Sequence, residues 1–156
     1  MQIRKATKED IPQILGLIKE LAEFEKAPNE VIVTEETLLR DGFSNQPLFY
    51  TLVGEVKGNI VGMALYFYKY STWKGKVMHL EDLIVKQSER GKGYGKVLLN
   101  EIIEVAKSED LKRIDWQVLD WNTPAVKFYE SIGADIQKEW WNCRLDKQNL
   151  ANYSLS

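Results

Sequence analysis

One segment, residues 80–106, constrains the fold more than any other part of the chain. An apolar stretch that favours a β-strand, residues 80–85, leads through a glycine-rich turn into residues 97–106, where apolar side chains recur at helical spacing. Glycines permit positive φ angles and a close approach of the backbone to a ligand, and the first N–H groups of a helix bind anions. The segment therefore predicts a site for a phosphorylated ligand. The turn consists of Arg90, Gly91, Lys92, Gly93, Tyr94, Gly95 and Lys96.

The spacing of these glycines excludes two familiar nucleotide-binding loops. A dinucleotide-binding G-x-G-x-x-G pattern needs a third glycine where the chain has Lys96 or Leu98. A P-loop needs Ser or Thr after Gly-Lys, and here Val97 stands in that place. What remains is an R-x-x-G-x-G pattern that begins at Arg90. Taken alone, this pattern is also compatible with a strand-to-helix turn that binds nothing.

Size and composition narrow the class of protein. A chain of 156 residues suits one domain, residues 1–156. The net charge of -2, with acidic and basic residues interspersed, gives no basic stripe for nucleic acid. The single cysteine, Cys143, excludes an intramolecular disulfide and favours a cytoplasmic protein; we expect it to be buried rather than nucleophilic. We find neither a membrane-spanning stretch nor a signal-peptide pattern, and no cluster with metal-ligand spacing.

Periodicity predicts helices first and then strands. Residues 2–5 favour a short edge strand, and a helix follows with Thr7 as its N-cap and apolar residues at helical spacing to position 22. A second helix starts at Thr34 and ends near Gly42.

The rest of the chain predicts most of a sheet. Residues 49–56 and 60–70 form a β-hairpin around a glycine turn, and a third strand covers residues 76–85. After the glycine loop and its helix, which ends near position 108, we expect a strand at 113–119, a helix from 123 to 131, and two closing strands within 134–145. The result is an α/β domain with a mixed, mostly antiparallel central sheet and helices on both faces.

Six segments, in order and at compatible spacing, resemble the GNAT N-acetyltransferase superfamily, closest to its diamine (spermidine/spermine) and thialysine acetyltransferase branch. They are LIKELA from Leu17, DGF from Asp41, LED from Leu80, RGKGYG from Arg90, WNTP from Trp121, and FY from Phe128 followed by Gly133-Ala134. The resemblance covers nearly the whole chain. It implies an acetyl-CoA-dependent N-acetyltransferase with the GNAT fold and strands that splay apart at the acetyl-CoA site.

The resemblance implies two catalytic residues. Glu81 matches the carboxylate that removes a proton from the attacking amine, directly or through water, and Tyr129 matches the acid that protonates the departing thiolate. Asp82 is a neighbouring alternative or a contact for a second positive charge, although a regular strand turns it away from Glu81. A salt-bridging Glu81 and a packed Tyr129 are the structural alternatives. His79 shares the strand face of Glu81 and is either a proton relay or a satisfied strand histidine.

The resemblance also implies the cofactor contacts. Backbone N–H groups of Leu83, Ile84 and Val85 are the expected donors to the thioester oxygen. The loop of Arg90, Gly91, Lys92, Gly93, Tyr94, Gly95 and Lys96 is the expected pyrophosphate site. Asn122 and Pro124 match positions beside the pantetheine arm, and Asn122 is equally a good N-cap.

On the substrate side, Phe24, Glu25 and Trp73 match positions that contact the amine in the diamine branch, with Glu81 and Asp82 beside them. Ser71 stands where that branch has an acid and Phe24 where it has a tyrosine, which weakens the case for long polyamines. The expected substrate is a small-molecule primary amine: a diamine, a polyamine or a lysine analogue. The family also implies a homodimer.

Two alternatives use the same fold. One is an acetyltransferase acting on a protein N-terminus or lysine, which needs an open groove in place of a small closed pocket. The other is a non-catalytic acyl-CoA-binding sensor, which predicts cofactor binding without turnover. The presence of both Glu81 and Tyr129 argues against a sensor.

Overall fold

Five strands form one sheet in the order β1–β2–β3–β4–β5 in a computed structural model that describes residues 1–154. Neighbours from β1 to β4 are antiparallel, and only the β4–β5 pair is parallel, with a helix in the connection between them. The predicted mixed, mostly antiparallel sheet is therefore confirmed. The strands are β1 (Gln2–Lys5), β2 (Tyr50–Val56), β3 (Asn59–Ser71), β4 (Gly75–Val85) and β5 (Ile114–Asp115).

The described residues also contain five α-helices. The first helix follows a short 3₁₀ turn at Lys8–Asp10, and the second is capped as predicted, because Thr34 Oγ1 accepts a hydrogen bond from the N–H of Thr37 at 3.2 Å. The helices are α1 (Ile11–Phe24), α2 (Glu35–Gly42), α3 (Tyr94–Ser108), α4 (Thr123–Ser131) and α5 (Lys147–Asn152).

The chain divides into two compact units. Met1–Gln117 holds the whole sheet with α1, α2 and α3, and a second unit that begins at Val118 holds α4 and α5. The expectation of one acetyltransferase domain over residues 1–156 stays a prediction.

Helices α1 and α3 pack on opposite faces of the sheet. Met63 and Ile84 lie in a buried cluster with Ile14 of α1. Gly62, the strand neighbour of Met63, points to the other face, where a Cβ would lie 3.1 Å from Leu98 of α3. The prediction of helices on both faces is therefore confirmed.

The fifth strand is shorter than the predicted strand at 113–119. Only Ile114 and Asp115 pair with β4, opposite Met78 and His79. A β-bulge in β4 begins just beyond His79, and a bulge bends its strand and disrupts pairing. The parallel ladder therefore stops after two residue pairs.

The two closing strands expected within 134–145 are wrong. No strand forms there in the part of the chain that the structure describes, and Trp140 and Trp141 are 73% and 89% exposed. Their β-propensity is a preference for a half-buried, pleated surface, which this segment lacks. Cys143 is also exposed rather than buried.

Candidate active site

A β-bulge sets the arrangement of the carboxylates at the centre of β4. Leu65 of β3 pairs with Asp82, whereas the next residue, Tyr66, pairs with Leu80. Glu81 is therefore the extra residue on β4. Bulges of this kind are common beside active sites, because they re-aim a side chain.

The bulge brings side chains to one face that a regular strand would separate. His79 pairs with Phe67 and Asp82 pairs with Leu65, so His79 and Asp82 share the face of those two β3 residues although they are three positions apart. Glu81 is on this face too, because its Oε2 lies 3.4 Å from His79 Nε2. In a regular strand, Glu81 and Asp82 would point in opposite directions, as the sequence predicted. The bulge instead places both side chains on the same face.

Three carboxyl groups act on one another in this region. Burial, followed by the charges of Glu81 and Glu25, raises the pKa of Asp82 to about 6. Loss of water around its carboxyl, followed by the charge of Glu81, raises the pKa of Glu25 at the end of α1. Glu25, Glu81 and Asp82, which we call the carboxylate cluster, therefore repel one another and favour a cation among them.

The glycine loop has the conformation that its sequence predicts. Gly91 and Gly93 both have φ of 79°, in the region that side chains disfavour. Gly93 is the N-cap of α3, so the helix begins at Tyr94, earlier than the apolar spacing indicated, and includes Gly95 and Lys96 in its first turn. The first N–H groups of a helix have no intrahelical acceptor, and here they come from the loop itself. Lys92 pairs with Glu89 at 2.7 Å.

Arg90 links the glycine loop to the end of α1. Its Nε donates to the carbonyl oxygen of Val85 at 3.1 Å, and its guanidinium lies 4.8 Å from the centre of the Phe24 ring. A surface groove runs beside this contact, lined by Glu20, Glu23, Phe24, Gln87 and Arg90. The structure thus brings the expected phosphate loop and one expected substrate residue together.

The open edge of β4 follows from the short ladder with β5. Leu83, Ile84 and Val85 pair with β3, but within residues 1–154 the β5 ladder reaches only to His79. Along an antiparallel strand, the N–H and C=O groups of successive residues point alternately toward the strand on one side and toward the strand on the other side. Beyond the bulge, β5 pairs with none of these groups, and the Val85 carbonyl oxygen accepts the hydrogen bond from Arg90 Nε.

The second unit holds Asn122, Pro124 and Tyr129. Asn122 Oδ1 accepts a hydrogen bond from the N–H of Ala125 at 3.4 Å and caps α4, with Pro124 in the first turn. Tyr129 is half-buried, and burial raises its pKa, so the phenol keeps its proton at neutral pH. Its ring lies 5.5 Å from that of Phe128.

Trp73 does not join the carboxylate cluster. It lies in the turn between β3 and β4, where its side chain is 81% exposed and its N–H donates to Ser71 Oγ at 3.3 Å. Glu81 is six residues beyond Gly75, the first residue of β4, and therefore about 20 Å along the strand from this turn.

Sequence reasoning named the carboxylates but missed the feature that joins them. The amino-acid sequence does not predict the bulge, because no glycine or proline interrupts residues 76–85. The contact between Arg90 and Phe24 joins residues far apart in the chain and has no local signal either.

Two features are absent from residues 1–154. No helix there has the length and apolar character needed to cross a bilayer. No group of three or more His, Cys, Asp or Glu side chains in the same residues is arranged to hold a metal ion.

Comparison with known proteins identifies the family. The model of the Acetyltransferase (GNAT) family matches residues 15–134. A thialysine N-epsilon-acetyltransferase of Bos taurus is 39% identical over 153 residues, covering 92% of this chain and 90% of the relative. A human spermidine/spermine N(1)-acetyltransferase-like protein 1 is 38% identical over 96% of this chain, which spans 23% of that longer protein. A V. cholerae integron cassette protein superposes with a TM-score of 0.79 at 26% identity, covering 96% of this chain and 94% of that protein.

The chain belongs to the GNAT acetyltransferase family. It is an N-acetyltransferase, and the acetyltransferases of this family use acetyl-CoA as cosubstrate.

Proposed function

We propose that this enzyme transfers the acetyl group of acetyl-CoA to a primary amine of a small molecule that carries a second positive charge, as a diamine, a polyamine or a lysine analogue does. The observation that supports this proposal is the carboxylate cluster, in which Glu25 and Asp82 each have a raised pKa. A second ammonium group on the substrate reduces the electrostatic repulsion among the three carboxylates. The names of two relatives, a thialysine acetyltransferase and a spermidine/spermine acetyltransferase-like protein, point to the same class of substrate.

Glu81 is the proposed general base. An alkyl ammonium, with a pKa near that of lysine at about 10, must lose a proton before its nitrogen can attack a thioester. The Glu81 side chain is 55% exposed, so an amine or a water molecule can reach it. Asp82 and Glu25 then hold the positive charge that does not react.

The cofactor is proposed to lie along the open edge of β4. Those N–H groups of Leu83, Ile84 and Val85 that face the β5 side supply donors to the oxyanion that forms when the amine adds to the thioester. The glycine loop and the first turn of α3 bind the pyrophosphate through main-chain N–H groups, with Arg90 and Lys96 adding positive charge. Asn122 and Pro124 contact the pantetheine arm.

Tyr129 is the proposed general acid. The thiolate of CoA is a better leaving group when it receives a proton, and a phenol that stays protonated at neutral pH can supply it. Tyr129 is half-buried and protonated at neutral pH, and its raised pKa makes it a weaker acid than an exposed tyrosine. Tyr129→Phe keeps the ring and removes only the hydroxyl.

We also propose a cytoplasmic homodimer. The exposed Trp140 and Trp141 are large apolar side chains that a second copy of the chain can cover. Light scattering should give twice the chain mass, and Trp141→Ser should shift it toward the monomer; a monomeric parent protein would contradict this.

The experiment that tests the function measures free-thiol release from acetyl-CoA with spermidine, putrescine, thialysine, lysine and a short peptide. We expect turnover with at least one of the small di- or polycations, a loss of roughly 100-fold or more in kcat for Tyr129→Phe, and retained acetyl-CoA binding in that variant. Turnover with the peptide alone, or none with any amine while acetyl-CoA still binds, would contradict the proposal.

A further inference from the structure

The His79 side chain contacts both Phe67 and Glu81. Its ring lies against Phe67, with centroids 5.0 Å apart, and its Nε2 is 3.4 Å from Glu81 Oε2. The His79 side chain is 17% exposed whereas that of Glu81 is 55% exposed. The histidine therefore contacts the carboxylate from the protein side and leaves the solvent side open.

The charges around His79 favour a neutral ring. Burial and then Lys69 of β3 lower the pKa of His79, against the opposing effects of Glu81 on its own strand and Asp115 on β5. Lys69 Nζ lies 2.8 Å from Asp115 Oδ2, so these two charges also act on each other. At neutral pH the imidazole is uncharged and carries one proton.

The surroundings of the two ring nitrogens indicate which one carries that proton. Nδ1 is buried and has no hydrogen-bond partner within residues 1–154. Nε2 faces a carboxylate, which only accepts hydrogen bonds when it is ionised. The proton therefore belongs on Nε2, where it has an acceptor.

We propose that His79 is a positioning residue that donates Nε2–H to Glu81 Oε2 and so holds this carboxylate for deprotonation of the amine. This inference rests on the proposed function. In the step itself, an ammonium N–H bond breaks and its proton goes to Oε1 of Glu81, leaving the nitrogen lone pair to attack the thioester carbon. His79 neither gains nor loses a proton in this step.

Protonation of His79 has a predicted cost. The imidazolium forms an ion pair with Glu81, and a paired carboxylate is a weaker base. The acid limb of the kcat/KM profile should therefore contain one ionisation fewer in His79→Gln, whose amide still donates, than in the parent enzyme.

The direct test uses NMR of the imidazole nitrogens, because His79 is the sole histidine in the sequence. We expect the Nε2–H tautomer at pH 7 and a titration below the ordinary histidine range, which Glu81→Gln should move further down. An Nδ1–H tautomer, or a titration indifferent to Glu81→Gln, would overturn the proposal. This readout does not need turnover, so it remains decisive even if the proposed function fails.

Steady-state kinetics of His79 variants provide a second test of the proposal. His79→Phe keeps an aromatic ring beside Phe67 but removes the donor, and we expect about a tenfold loss in kcat with an unchanged KM for acetyl-CoA, whereas His79→Gln retains most activity. In a Glu81→Gln background, His79→Phe should cost nothing more. A fully active His79→Phe with the parent's acid limb would overturn the proposal, provided that thermal melting and acetyl-CoA binding match the parent.

Discussion

Asp82 is a residue whose charge opposes folding. Its pKa is about 6 in the folded chain against an ordinary value of 3.8. Below pH 4 the group is protonated whether the chain is folded or not. Between pH 4 and pH 6 only the unfolded chain loses the proton, so this contribution to stability falls as pH rises and is constant above pH 6.

Removing that charge should therefore stabilise the protein. Asp82→Asn is expected to raise the free energy of unfolding by up to about 3 kcal/mol at pH 8, and to change it little at pH 4. Urea denaturation at the two pH values measures both. The matched control is Asp10→Asn, because hydrogen bonds from Arg4 lower the pKa of Asp10 and make its charge stabilising. It should destabilise the protein at pH 8, by about 3 kcal/mol. A stability loss at pH 8 in Asp82→Asn would mean that Asp82 is well paired.

At the residue scale, the family resemblance named Glu81, Asp82 and Glu25, and their roles stay predictions. The glycine-rich turn predicted positive φ angles, which Gly91 and Gly93 have. The pKa of Asp82 was not predictable, because it depends on burial and on a charge from α1.

At the scale of elements, the turn into α3 depends on one glycine with positive φ. Gly93→Ala places a Cβ in a left-handed conformation at φ of 79°, which should cost roughly 1–2 kcal/mol of stability and weaken acetyl-CoA binding. Gly16→Ala is the matched control, since Gly16 lies on an exposed position of α1 with nothing within 4 Å of its added Cβ. It should stabilise by about 0.5–1 kcal/mol. Urea denaturation and calorimetric titration of acetyl-CoA measure the two effects, and equal responses of the two variants would contradict this account of the loop.

The elements themselves were predictable where pattern and packing agree. Helix α1 and the β2–β3 hairpin follow from periodicity and turn residues. The short length of β5 and the absence of strands in segment 134–145 were not predictable, because a strand exists only where a neighbour pairs with it. The bulge that limits β5 lies on β4, and residues 113–119 carry no trace of it.

At the scale of the whole molecule, the glycine loop is the proposed site for the cofactor phosphates and the carboxylate cluster is the proposed site for the second positive charge. The glycine loop and the carboxylate cluster both lie within Met1–Gln117, and β4, which carries Glu81 and Asp82, leads toward the loop. The proposed acid, Tyr129, belongs to the second unit. The proposed contacts to the second positive charge, Glu25 and Asp82, belong to the first unit.

The most direct test of a preference for a second positive charge is kcat/KM for putrescine against n-butylamine, measured by free-thiol release. The two amines differ only in the second ammonium group. We predict that putrescine is favoured at least tenfold, about the value of one hydrogen bond between charged groups, and that Glu25→Gln reduces the preference. Equal kcat/KM values for the two amines would contradict the claim that the carboxylate cluster binds the second positive charge.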